Sequence, residues 1–243
     1  MIDLAKVVLG RHAHDPGRVA ALPSHVMAAS KPPIALDRSS IPFTPGLYEN
    51  DTLPICTACA TANCARAYSW IKTQVDTVVQ PAMVPAFFAA CLSIPNTPAA
   101  IGATDGAVML DILDMAQSTG YDVGQPSPLY PTVHAIDFGD RMALADAILR
   151  YGAANIGIAL AMADQRMQVW DIYTPADAGD PTPGSWGLHD TFIWDYDGLD
   201  DTSLVRIGTW GYWQQATWRW VRKAVEEAYR LNWPQLDPAP GGA

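Results

Sequence analysis

The order of elements along this 243-residue chain predicts an α+β fold in two lobes, a helical lobe followed by an antiparallel β lobe. Two observations carry that expectation. Helix-period segments fill the first part of the chain and strand-like runs the second, with no alternating βαβ rhythm. A hydrophobic content of 49% suffices for one sizeable core, and no internal repeat points to a solenoid.

Taken in order, residues 1–48 are irregular and punctuated by Pro23, Pro32, Pro33, Pro42 and Pro45. Within them, residues 1–35 read as an extended N-terminal arm, unable to build a core of its own. Residues 36–233 form the folded domain and 234–243 a C-terminal tail. The Ala-rich stretch 56–73 predicts a helix whose Ala58, Ala62, Ala65 and Ser69 admit close neighbours. A second helix is expected over 81–92. A third, over 106–118, takes Asp105 as its cap and stops at Gly120. A fourth starts at Gly139 or Asp140 and ends near Gly152. Strands are expected at 155–161, 167–172, 189–196 and 203–209, with a turn-rich loop at 180–187 and a connection at 197–202. The last element is read as an amphipathic helix over 215–231, with Trp218, Val221 and Val225 on its apolar face.

Composition excludes several functions. A net charge of −10 with only 16% charged residues leaves no basic face for nucleic acid or for an anionic membrane. No run of 18 apolar residues predicts a transmembrane helix. The N-terminus lacks the apolar stretch and small-residue cleavage site of a secretory signal. Three of the four cysteines (Cys56, Cys59, Cys64, Cys91) crowd one expected helix, which suits reduced thiols in the cytoplasm better than a disulfide framework.

Cys56 opens that helix. A thiol at a helix N-terminus feels the positive end of the dipole, so a lowered pKa and a nucleophilic thiolate are expected. Asn50, six residues earlier, can donate its amide to an oxyanion beside the Cys56 backbone N–H, or simply make an Asn-Asp turn. His189 follows the loop Gly184-Ser185-Trp186-Gly187-Leu188 at the mouth of a strand, a good station for a base. His12, His14 and His25 lie in the arm and His134 in an expected loop. Cys59 is a rival nucleophile. Cys56-x2-Cys59-x4-Cys64 lacks the second ligand pair that a metal site needs, so neither metal nor cofactor is expected. Seven tryptophans crowd the region from Trp186 to Trp233, where they either pack the core or line a groove.

These stretches, in this order, resemble papain-like cysteine peptidases. Leu36-Asp37-Arg38, Phe43-Thr44-Pro45 and Asn50-x5-Cys56 match the family's Asp-Trp-Arg, Val-Thr-Pro and Gln-x5-Cys. Asp105-Gly106-Ala107 leads a helix like the family's Gly-Gly-led one. Gly187-Leu188-His189 and Gly208-Thr209-Trp210-Gly211 resemble the histidine strand and the Asn-Ser-Trp-Gly turn. Cys56 and His189 stand 133 residues apart, within the papain-type separation. The segments GSWGLHDTFIWDYDG and TWGYWQQATWRWVRKAVEEAY are similar to papain-like proteins encoded by phages and prophages.

The resemblance implies a papain-like two-lobe fold with a Cys56–His189 dyad, Asn50 at the oxyanion and a peptide or amide substrate. Three departures stand out. Thr57 replaces the family's Trp after the nucleophile, Asn50 replaces Gln, and the Asn that orients the histidine falls at Gly208. Of the nearby acids, Asp190 shares no strand face with His189 and Asp195 lies too far along. Two readings therefore remain open. One is a cysteine-dependent hydrolase, weakened or inactive for want of an orienting group. The other is a non-enzymatic virion or interaction protein that keeps the fold. The arm either covers the cleft like an inhibitory pro-segment or runs away from it to contact a neighbouring subunit. The charge-poor, tryptophan-rich body favours the second course.

Overall fold

The computed structural model describes residues 4–174 and 179–238. Helices dominate the first part: α1 (Pro16–Ala21), α2 (Cys56–Thr73), α3 (Met83–Cys91), α4 (Pro98–Gly102), α5 (Met109–Thr119) and α6 (Arg141–Tyr151). The second part supplies most of a seven-stranded sheet. Its strands are β1 (Thr132–Ala135), β2 (Ala154–Leu160), β3 (Val169–Trp170), β4 (Gly187–Tyr196), β5 (Leu204–Thr209), β6 (Tyr212–Thr217) and β7 (Val225–Asn232), with α7 (Trp218–Ala224) between the last two.

The strand order is β1-β7-β2-β4-β5-β6-β3. Every pairing is antiparallel except β3 with β6. Two cores result. One gathers α2, α3 and α5 with Phe43, Tyr121 and Trp233. The other gathers α6, α7 and the sheet around Ile156, Ile158, Trp170, Ile193 and Trp220. Helix α2 is buried on nearly all sides and packs across β4. Its alanines let that strand approach, which sets the helix start beside the middle of the sheet.

Buried Arg38 ties the layers together. Its guanidinium donates to the carbonyls of Ile148 and Gly152 at the end of α6 and of Trp194 on β4, at 2.8, 2.6 and 2.8 Å. A cation at a helix C-terminus satisfies carbonyls that lack an intrahelical partner. Burial lowers its pKa to about 10, which leaves it charged at neutral pH.

Several expectations need correction. The 215–231 segment is a strand end, two turns of helix and a strand, because Val225–Asn232 pairs with both β1 and β2 inside the sheet. Strand pairing overrides helical periodicity there. His134 lies on β1 rather than in a loop. Helix α5 starts at Met109, and Asp105 does not cap it; Asp105 pairs with His12 instead, at 2.9 Å. Of the tail, only residues 234–238 lie within the described part.

Candidate active site

A tight turn delivers Cys56 to the start of α2. Tyr48 and Glu49 adopt left-handed φ values of 50° and 67°. The N–H groups of Thr52 and Leu53 both donate to the Glu49 carbonyl, at 3.0 and 2.9 Å. Cys56 is fully buried. The backbone N–H groups of Gly10 and Asp190 donate toward its sulfur and favour thiolate. Burial and the Asp190 carboxyl outweigh them and push the thiol up to about 12. The sequence expectation of a lowered pKa therefore fails in this state. The helix dipole is present, but the sulfur is dry.

His189 lies on β4, opposite Ile158 of β2, and is also fully buried. Its ring stacks on the Trp210 indole with centroids 4.4 Å apart and planes 16° apart. Nε2 is 2.7 Å from Thr209 Oγ1. Nδ1 is buried with no hydrogen-bond partner among the described residues. Burial, and after it the positive charge of Arg11, lower the imidazole pKa to about 3. The Cys56 sulfur receives the N–H of Asp190, the residue next to His189. The start of α2 thus lies against β4 at the residue after His189.

Gly208 offers no orienting side chain, and the structure gives the reason: a Cβ there would overlap the Phe192 ring. The next residue orients the imidazole instead. With Phe192 opposite Gly208, Thr209 falls on the His189 face of the hairpin, in diagonal reach. Among the acids weighed for that role, Asp195 accepts from Arg206 and, at 3.0 Å, from the Arg38 backbone N–H. The carboxyl of buried Asp190 has no side-chain hydrogen-bond partner among the described residues, with only the Thr191 backbone N–H directed toward it.

Asn50 is nearly buried and its backbone N–H donates to Leu47 at 2.9 Å, which is the turn role. Its Oδ1 is buried with no hydrogen-bond partner among the described residues. Cys59 is buried with its sulfur 3.8 Å from the Leu47 carbonyl. All four cysteines are free, and no cluster of three or more potential metal ligands occurs among the described residues.

The arm does not avoid the cleft. Ala107 donates its N–H to the Gly10 carbonyl and accepts from the His12 N–H, both at 2.9 Å, and the Arg11 N–H reaches Leu188 at 3.4 Å. A Cβ on Gly10 would overlap the Pro54 backbone, and one on Gly106, at φ +117°, would overlap the Gly10 carbonyl. Both glycines let the strand thread between the Cys56 turn and the 105–107 loop. Further along, the Arg18 guanidinium bridges Asp111 and Asp114 at 2.7 and 2.8 Å, and residues 23–25 pair with Ala135. The expected outward course fails because the body offers backbone partners and carboxylates along this route.

Sequence reasoning missed Thr209, Trp210 and Arg11 as parts of the site. The Gly-Thr-Trp-Gly motif did mark the first two, but alignment to the family's Asn stopped at Gly208.

No family model and no curated protein matches the sequence. Solved structures do match. Xylellain, a cysteine protease from Xylella fastidiosa, superposes with a TM-score of 0.66 at 13% identity, over 93% of this chain and 96% of that one. Procathepsin B S9 from Trypanosoma congolense gives 0.64 at 9% identity, over 96% and 89%. Digestive procathepsin L 3 of Tenebrio molitor gives 0.63 at 13% identity, over 94% and 77%. The fold is that of papain-like cysteine proteases.

Proposed function

We propose that this chain is a cysteine-dependent hydrolase of peptide or other amide bonds, held here in a self-covered state. In this reading Cys56 Sγ attacks the carbonyl carbon and its proton passes to His189 Nδ1. The imidazolium then returns the proton to the leaving amine, and water releases the acyl group by the reverse steps. Thr209 Oγ1 accepts from Nε2–H and so leaves Nδ1 as the base. Trp210 fixes the ring plane. In this reading the Cys56 backbone N–H and the Asn50 amide serve as the oxyanion donors.

The observation that carries this reading is the His189 environment. A buried imidazole with Nε2 satisfied and Nδ1 left free, on the strand against which the helix-start cysteine packs, suits the base of a thiol nucleophile. Packing alone gives no reason to leave Nδ1 unpaired. The test is peptide hydrolysis by protein from which the arm has been displaced, compared with Cys56→Ala. Cleavage that persists in Cys56→Ala overturns the proposal.

A second reading has one observation in its favour. Cys56 and His189 are both fully buried under residues of their own chain, as suits an interaction protein, including a phage-particle component, that keeps the fold without the chemistry. It predicts that displacing the arm yields no hydrolysis of any peptide. No helix among the described residues is long and apolar enough to cross a membrane.

A further inference from the structure

Helix α2 opens on two thiols, of which the mechanism above uses one. Cys56 is its first residue and Cys59 completes its first turn. Residues at this spacing share one face of a helix, whereas Cys64, five residues further on, faces away from Cys59. Side chains on a helix lean toward its N-terminus, and the Cys59 sulfur does so. It sits 3.8 and 4.0 Å from the carbonyls of Leu47 and Tyr48, in the turn that leads to Cys56. After burial, the charge that bears most on the Cys59 thiol is that of Cys56. The Leu47 carbonyl also takes the Asn50 N–H, at 2.9 Å. A disulfide needs Cβ atoms about 3.5–4.5 Å apart, against roughly 5–6 Å for helical neighbours of this spacing. Closing that gap inside a helix breaks the backbone ladder. At a helix start the first N–H groups have no intrahelical acceptor, and Ile55, just before Cys56, supplies no side-chain cap. The Cys59 N–H bond to the Ile55 carbonyl, at 3.0 Å, is what has to give.

We propose that Cys56 and Cys59 form an oxidative modification site, in which Cys59 captures the peroxide-oxidised Cys56 as a reversible disulfide within the first turn of α2. The peroxide enters when the arm is displaced. Cys56 thiolate attacks one peroxide oxygen, the O–O bond breaks, and hydroxide leaves as Cys56 becomes the sulfenic acid. The Cys59 sulfur then attacks Cys56 Sγ. The S–S bond forms, the S–O bond breaks, and the Cys59 proton departs with the hydroxide as water. The two thiols lose two electrons and the peroxide gains them. A strained bridge of this kind is readily reduced, and a dithiol reverses the step by exchange. The bridge takes the nucleophile out of use and lifts Cys59 from the Leu47 carbonyl beside Asn50. Without Cys59, Cys56 goes on to the sulfinic acid, which thiols do not reduce. Loss of hydrolysis on oxidation rests on the hydrolase reading above, whereas the thiol chemistry stands without it.

The experiment holds the folded full chain, as wild type and as Cys59→Ala, in hydrogen peroxide until Cys56 is consumed. The readout is the product and not the rate, so a slowly opening arm only lengthens the incubation, and Gly10→Ala shortens it. After quenching, unfolding and alkylation, the tryptic peptide 39–66 carries Cys56, Cys59 and Cys64. In oxidised wild type, Cys64 alone of the three should be alkylated, and dithiothreitol before alkylation should return all three. In Cys59→Ala, Cys56 should end as sulfinic or sulfonic acid, with about tenfold less thiol recovered by dithiothreitol. If Cys59→Ala does not fold, Cys59→Val, closer in volume, takes its place. Irreversible oxidation of Cys56 to the same extent in both proteins, or a bridge from Cys59 to Cys64, overturns the proposal. Peptide cleavage that wild type loses in peroxide and regains in dithiothreitol is the expected companion result. A bridge in a protein that cleaves no peptide keeps the modification site and sinks the hydrolase. Cleavage in a protein that forms no bridge does the reverse.

Discussion

The Nε2 atom of His189 lies 2.7 Å from Oγ1 of Thr209, so the imidazole is oriented by a hydroxyl that no acid or amide in the sequence foreshadowed. Thr209→Val keeps the shape and removes the acceptor. In an active protein it should lower kcat by about tenfold to a hundredfold with little change in KM, since the base loses its fixed tautomer. Thr209→Ser should restore most of the rate. A Thr209→Val enzyme with unchanged kcat would mean that Trp210 stacking alone holds the ring.

Burial of Cys56 beneath Gly10 makes reactivity a readout of the arm. In wild type, alkylation of Cys56 by iodoacetamide should be slow throughout pH 6–8, because a thiol pushed up to about 12 carries little thiolate there. Gly10→Ala cannot keep its seat against Pro54 and should speed labelling by about tenfold or more. Peptide-mapped mass spectrometry after short pulses measures both. Equal labelling in the two proteins would show that the arm does not control access.

Much of this was legible in the sequence, for identifiable reasons. The sequence predicts a helix over 56–73 and α2 is Cys56–Thr73, because an Ala-rich run with no interior Gly or Pro leaves few alternatives. Asp140 caps α6 through the Met142 N–H at 2.8 Å, as its position announced. The arm was not legible. Its contacts are backbone pairs with Ala107 and Ala135 and ion pairs to Asp111, Asp114 and Glu227, all remote in sequence, and composition says nothing of such partners. The Thr209 role was hidden for a related reason. It depends on the β4–β5 register, which shifts at a bulge between Ile193 and Asp195, and alternation alone cannot place a bulge.

The depressed His189 pKa makes stability depend on pH. The folded value is about 3 against an ordinary 6.5, so between these values the unfolded chain binds the extra proton. Stability from this group is complete above about pH 6.5 and falls as pH drops toward 3. His189→Gln should flatten that part of a urea-denaturation pH series. If both proteins lose stability in parallel from pH 6.5 to 4, other groups carry the acid limb.

The most direct repair suggested by the family resemblance is expected to fail. Gly208→Asn would place the family's amide at its usual position, two motif residues before Trp210. Any Cβ there overlaps the Phe192 ring, and Phe192 is itself fully buried against Phe43 and Trp213, with centroids 6.3 and 5.9 Å away. The ring has nowhere to go without opening the helical core, so overpacking should cost about 1–3 kcal/mol even for Gly208→Ala. Combining Gly208→Ala with Phe192→Leu should recover part of the loss by vacating the ring plane, a coupling that a double-mutant cycle in urea measures. Additive losses in the two single variants would show that Phe192 is not what keeps residue 208 a glycine.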